Sequence, residues 1–425
     1  MATTIGIPPA TDARRPHAES VAPPASAASP ESPKSERLIS LDVFRGVTIA
    51  AMLLVNNPGT WSAIYPPLQH AAWHGWTPTD LIFPFFLFIV GITTHISISA
   101  RRARGDSDAA LVKQILKRGG IIFLLGFLMS LFPFYQWGTI EGMADPSILD
   151  RIVYRLEHVR TLGVLQRIGL VYIAAGLLSL KTTLKQQVVI VVALLFGYWF
   201  AMTLIPIPGK TIGALLLDKP GETLAAHLDR AILGMNHMWS GSVTYDPEGP
   251  FSTIPAIGTA MLGIFAGRWI LEQRPLIERI AGLFAAGSIG MVLGLMWNWS
   301  FPINKNLWTS SYVVFTAGMA CVTLATTMWV IEWRNIRWWT KPFVIYGVNP
   351  IVAFVGSGVL ARIIYTLWKV DYNGKPLAVE AVIYKSVFES WLEPRNASLA
   401  MAFATVLFWF AILAWMYRKR IFLKV

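Results

Sequence analysis

Between Leu68 and Phe86 the chain reads LQHAAWHGWTPTDLIFPFF, which sets two histidines, His70 and His74, and an aspartate, Asp80, directly before a run of aromatic and aliphatic residues. An imidazole with an ordinary pKa of about 6.5 can take a proton from a reacting amine or form a bond to an acyl group. A neighbouring carboxylate orients its ring and stabilises its cation. Upstream, Asn56 is followed by Asn57, Pro58 and Gly59, a combination that ends a helix and turns the chain. His70, Asp80 and Asn56 are therefore expected to converge at one end of a helix pair, while His74 reads as a solvated loop residue.

The elements that must position these groups are membrane helices. Of the 425 residues, 54% are hydrophobic and 14% charged, with 18 tryptophans, more apolar side chain than one globular core can hide. Apolar runs of roughly 18 or more residues, each able to span about 30 Å of hydrocarbon, recur ten times. They fall at 44–60, 80–100, 119–136, 162–180, 188–207, 253–270, 280–298, 310–331, 342–367 and 399–416. The expected fold is all-α, a polytopic integral membrane protein with about ten transmembrane helices.

With the N-terminus cytoplasmic, the inner segments hold 23 lysines and arginines against 11 outside, so both termini are expected inside. The net charge of +12 then reflects orientation in the bilayer, and nucleic acid is excluded as a partner because no contiguous basic face remains. Residues 1–37, rich in Pro, Ala and Ser, read as a disordered cytoplasmic tail, and 38–425 as one membrane domain. Cys321 is the only cysteine, which rules out an intrachain disulfide or a cysteine-based metal site, and no metal is expected.

Further polar residues stand at span ends or inside spans, where each needs a partner or a task. SLDVFRG places Asp42 and Arg45 three residues apart, suited to an ion pair or, at Arg45, to an anionic ligand from the cytoplasm. Gln166 and Arg167 fall about one turn into the fourth span. Asp246 and Glu248 precede the sixth, Asn304, Lys305 and Asn306 fill a short connection, and Asn349 sits within the ninth. Arg167 could pair with an acidic neighbour, and together these groups imply a polar chamber opening outward. GIFAG, Gly263 to Gly267, would let two helices touch, and AAHLDRAILGMNHMW has the spacing of an interfacial helix.

Six segments in register, SLDVFRG, HAAWHGWTPTDLIFPFFLFIVG, GVLQRIG, YDPEGPFSTIP, PINKNLWTSSYV and YGVNP, resemble the heparan-α-glucosaminide N-acetyltransferase family, in particular its short bacterial members of the NagX type. The resemblance runs from Arg37 to the last span. It implies transfer of acetyl from cytoplasmic acetyl-CoA, across a bacterial inner membrane, to the amine of an amino sugar on the far side. It assigns the family's active histidine to His70, its essential aspartate to Asp80 and its asparagine to Asn56, with His74 standing where the family segment HASWNG has asparagine.

On that reading His70 is base or acetyl carrier, Asp80 orients it, and Asn56 stabilises the oxyanion. Arg45, with Arg167 and Gln166, would contact the donor. Asp246, Glu248, Asn304, Lys305, Asn306, Trp308 and Asn349 would surround the acceptor. Acetyl-CoA, an amino sugar, the lipid bilayer and a second copy of the chain are the expected partners. The alternative function is an amino-sugar permease, since ten helices around a cavity would serve transport as well.

Overall fold

The structure, a computed structural model, describes residues 38–423 apart from Val243. The tail expected over residues 1–37 lies outside the described residues. In chain order the helices are α1 (Ile39–Asn56), α2 (Ile82–Ala103), α3 (Asp108–Leu131), α4 (Ile148–Glu157), α5 (Val164–Lys181), α6 (Leu184–Leu204), α7 (Leu224–Leu233), α8 (Pro250–Leu271), α9 (Leu276–Trp297), α10 (Ser310–Met328), α11 (Thr340–Val348), α12 (Pro350–Arg362), α13 (Val379–Ile383) and α14 (Pro394–Arg418). One antiparallel hairpin, β1 (Lys369–Tyr372) and β2 (Lys375–Ala378), pairs Lys369 with Ala378. Among the described residues ten helical segments are long and apolar enough to cross a membrane, in agreement with the expected all-α polytopic fold.

Two boundaries differ from expectation for physical reasons. The first span begins at Ile39 rather than 44, which brings Asp42 and Arg45 inside α1, where they pair at 3.6 Å across one helical turn. The expected continuous span 342–367 is broken between α11 and α12. Pro350 has no N–H to give and crowds the residue before it, so Asn349 leaves helical geometry at φ −127°, ψ 52°. The ninth membrane-spanning segment is Pro350–Leu367, and α11 instead packs on the first half of α1.

Helices in lipid gain little from the hydrophobic effect between them, so contact depends on close packing. In the GIFAG stretch of α8, a Cβ added to Gly263 would lie 2.1 Å from the Phe88 carbonyl oxygen, and one added to Gly91 of α2 would lie 2.0 Å from that of Ala260. No side chain larger than hydrogen fits at this α2–α8 crossing. Gly46 of α1 meets the Phe343 carbonyl of α11 as closely, at 1.8 Å from a built Cβ. The α2–α8 and α1–α11 pairs are thereby held in close contact, while α9 keeps Ile289, Val292, Leu293 and Met296 exposed on its outer side.

Candidate functional site

The loop from Asn57 to Thr77 closes on the start of the second span. Pro78 opens a turn, Pro78–Leu81, whose fixed backbone suits its first position. Asp80 in this turn is 1% exposed. Its Oδ2 accepts from the backbone N–H of Ala71 at 2.9 Å, the backbone N–H of Thr77 at 3.1 Å and the Thr77 hydroxyl at 3.1 Å, and its Oδ1 meets His70 Nδ1 at 2.6 Å. The Tyr312 hydroxyl on α10 donates to the Asp80 carbonyl at 2.5 Å. So held, Asp80 accepts a hydrogen bond from Nδ1–H, the tautomer that leaves the lone pair of His70 on Nε2.

His70 lines a cavity of about 520 Å³, within the size range of small-molecule sites. At the His70 end it is bounded by Asp80, Asn56, Arg160, Glu248, Lys305 and Asn306, together with Trp73, Trp239 and Tyr245. It then descends along α1 to Met52, Ile49 and Thr48, where Phe86, Ile351 and Phe354 form apolar walls. From Asn56 to Thr48 the descent is about 12 Å at 1.5 Å per helical residue, and Pro350, at the helix break, lies on its lining.

Four loops meet at the polar end. Arg160 reaches Asp246 at 2.9 and 2.5 Å and also bonds the Glu248 carboxylate. Burial works against Arg160's charge, yet Glu248 and Asp246 outweigh it and raise its pKa. Burial alone would push the Glu248 carboxyl up, but Arg160 and Arg167 hold it below the usual range. Behind them Asp229 of α7 accepts from the Asp246 backbone N–H at 3.2 Å, and burial, reinforced by the Asp246 charge, raises its carboxyl to about 7.

Of the residues expected at the site, the structure gathers His70, Asp80, Asn56, Glu248, Lys305 and Asn306 around the cavity, with Asp246 bonded to its wall through Arg160. The others lie elsewhere. Arg167 is buried between helices, bonded to the Gly249 carbonyl at 3.3 Å and the Ser252 hydroxyl and stacked 5.2 Å from the Trp308 ring, so the acids pair with Arg160 and not with Arg167 as expected. Gln166 packs against α3, with a Cβ on Gly126 falling 2.4 Å from its Oε1 and Ser130 Oγ 3.4 Å from its Nε2.

Trp308 is 1% exposed and donates to Thr259 at 3.1 Å, so no face is open to a sugar ring. Asn304 is buried, its Oδ1 accepting from the Leu307 N–H of its own turn at 2.9 Å and its amide nitrogen meeting His74 at 3.3 Å. Asn349 bonds the Ile421 carbonyl and the Leu423 N–H, both at 3.0 Å. Arg45 lies three residues beyond Thr48, bonded to the Gly347 carbonyl at 3.2 Å. His74 is not a free loop residue, since it bridges Asp218 at 2.9 Å and Asn304 at 3.3 Å.

Arg160 was missed, although a cation four residues before the fourth membrane span, opposite the acids of YDPEG, was a signal for it. Trp73, Trp239 and Tyr245 carried none, because nothing in a tryptophan-rich sequence separates a lining ring from an interfacial anchor.

The fold and the site thus define a polytopic membrane protein with an oriented histidine at the mouth of an intramembrane cavity. The family described as heparan-alpha-glucosaminide N-acetyltransferase, catalytic, matches residues 37–303, and the chain belongs to that family. It is similar to the heparan-alpha-glucosaminide N-acetyltransferase of Homo sapiens, 28% identical over 435 residues that cover 92% of this chain and 60% of the relative. It is also similar to the protein of that name from Mus musculus, 30% identical over 388 residues covering 80% and 56%. The chain thus spans about 60% of the length of the curated relatives it matches.

Proposed function

We propose that the protein transfers acetyl from acetyl-CoA to the amine of an amino sugar, glucosamine or a terminal glucosaminide, across a bacterial inner membrane. One observation carries this reading: His70, held through Nδ1 by Asp80, lines a cavity that runs from a polar mouth into an apolar shaft. Coenzyme A has phosphates that hydrocarbon excludes and a slim pantetheine arm. Phosphates held at the opposite end, with Arg45 as one contact, would leave the arm to enter the shaft beside Met52 and Phe354. Family membership supports an N-acetyltransferase of this type.

At the mouth the amine attacks the thioester carbonyl and gives its proton to His70 Nε2. The C–S bond breaks, and the thiolate leaves with that proton. Asp80 keeps the imidazole in the tautomer this requires, and Asn56 offers an amide donor to the oxygen. The sugar ring meets Trp73, Trp239, Tyr245 and Asn306. Glu248 contributes less pull on an ammonium than its charge suggests, because Arg160 balances it.

Direct transfer fits the site better than an acetyl-imidazole, since the His70 side chain is 47% exposed and an acetyl group on it would be open to hydrolysis. A stable gain of about 42 Da on the His70 peptide from acetyl-CoA alone, discharged to glucosamine at the turnover rate, would instead establish the two-step route.

The test uses inside-out vesicles with labelled acetyl-CoA outside and glucosamine in the lumen. Acetylated sugar in the lumen is the expected outcome. Sugar movement that ignores acetyl-CoA would make the protein a permease and overturn the proposal.

A further inference from the structure

We infer that Lys305 is a further catalytic residue, whose ammonium stabilises the negative charge that develops on the thioester oxygen during transfer. The inference rests on the acetyltransferase reading above, and Lys305 lies just beyond the segment the family match covers.

The position is built rather than incidental. The connection between α9 and α10 is cross-braced: Ile303 N–H donates to Asn298 Oδ1 at 2.7 Å, Asn304 N–H to Thr309 Oγ1 at 3.0 Å and Trp308 N–H to the Lys305 carbonyl at 3.1 Å. Gly75, at φ +94°, lets the His70 loop turn back and donate to the Ile303 carbonyl at 2.8 Å. The two segments are thereby locked together. Lys305 Nζ falls 3.0 Å from His70 Nδ1, 3.2 Å from His70 Nε2 and 3.6 Å from Asp80 Oδ1.

The hydrogen-bond inventory leaves Lys305 with capacity to spare. Asp80 accepts from Nδ1–H, so the neutral ring has one lone pair, on Nε2, which Lys305 reaches at 3.2 Å and gives up to the amine when it binds, and the Asp80 contact at 3.6 Å is a long ion pair. An ammonium has three N–H groups, and Lys305 lines the cavity. An amine losing its proton to Nε2 must sit within about 3 Å of it. The carbonyl it attacks is then in reach of an Nζ that is 3.2 Å from the same nitrogen.

As the N–C bond forms, the carbonyl π pair moves onto oxygen, opposite Lys305. Its return expels the thiolate, which takes the proton from His70. Burial pushes the Lys305 pKa below the ordinary lysine value while Asp80 and Glu248 pull it back, and a cation 3.2 Å from Nε2 acts on the developing oxyanion at short range.

The groups facing Lys305 are His70 and Asp80 from the loop and turn before α2, and Glu248, itself held by Arg160, from the segment before α8. The full chain is purified in detergent and assayed for initial rates with acetyl-CoA and glucosamine. Lys305→Met is expected to lower kcat about 100-fold or more, the range seen when one oxyanion donor is removed, with both KM values within about twofold. Lys305→Arg keeps the charge, so it should recover part of kcat and lose the alkaline limb of the wild-type profile, because arginine stays protonated throughout.

A Lys305→Met protein with wild-type kcat, or one changed only in the KM for glucosamine, overturns the inference while leaving acetyl transfer intact. Wild-type protein that transfers no acetyl group sinks both readings. Should Lys305→Met lose its monodisperse peak, Lys305→Arg decides, and an alkaline limb unchanged from wild type would refute the role.

Discussion

The two ends of the cavity are built on opposite principles. At the mouth, His70, Asp80, Lys305, Arg160 and Glu248 come from four loops and are fixed by charge and hydrogen bonds. In the shaft, Met52, Phe86, Ile351 and Phe354 come from helices and are fixed by packing. Polar side chains at a membrane boundary can be held tightly only when each is answered by another, and the mouth answers its acids with Arg160 and Lys305. The shaft needs no such matching, and its shape selects what enters. The proposed acetyl transfer would confine chemistry to the mouth and donor selection to the shaft.

This division is most directly broken at His70. His70→Ala should reduce acetyl transfer by about 10²–10⁴-fold, the usual worth of a general base, with the melting temperature in detergent close to wild type. His74→Ala, which loses bonds to Asp218 and Asn304 on the rim, should change the rate far less. Equal rates in the two variants would remove His70 from the chemistry.

Arg160→Met tests whether charge matching holds the mouth together. It would leave Asp246 and Glu248, with side chains 0% and 10% exposed, without their cation. Breaking a buried pair from one side costs about 3–5 kcal/mol, so a clear fall in melting temperature is expected. Glu248's carboxyl is held low in the native state, so its stabilisation is present above the ordinary glutamate pKa and lost as pH falls through the lowered value. Without Arg160 that acid-side loss should shrink, which a melt series from about pH 6 to 2 would detect.

Much of this was legible in the sequence because long apolar runs and single polar intrusions are strong signals. Ten spans, the Asp42–Arg45 pair, the close approach at Gly263 and the His70–Asp80 partnership could all be read from residue type and spacing. Partner choice between distant loops was not legible. Nothing local tells whether Asp246 meets Arg160 or Arg167, since they are neighbours in sequence and only the fold turns one to the loop and buries the other among helices.

The two short helices α4 and α7 show the same limit. The segment expected at the interface, α7, buries Leu224, Ala225, Ala226 and Asp229 behind the site. In the unforeseen α4, Arg151 and Arg155 turn inward onto the carbonyls of Gln136, Gly138 and Leu131, which leaves Ile148 and Leu149 exposed.

The mouth should also own the pH dependence of stability on the alkaline side of this range. Asp229's carboxyl is raised from the model-compound value of 3.8 to about 7 by burial, so between those limits the native state holds a proton the unfolded chain has released. Stability from this group therefore falls as pH rises from about 4 to 7, by up to a few kcal/mol. Asp229→Asn should flatten that slope. An unchanged slope would mean that the carboxyl titrates alike in both states.

The shaft makes the complementary prediction, smallest in size but most specific to its role. Met52 lies on α1 one turn below Asn56, on the path from the mouth to Pro350. Met52→Trp adds bulk to the cavity wall without adding charge, and overfilling a packed apolar site costs about 1–3 kcal/mol. If the donor's arm occupies the shaft, the KM for acetyl-CoA should rise about tenfold, equivalent to about 1.4 kcal/mol. The KM for glucosamine and the shape of the pH profile should stay as they are, because no group at the mouth has moved. A rise in the glucosamine KM alone would reverse the assignment, giving the shaft to the acceptor and requiring the donor to approach His70 from the polar side.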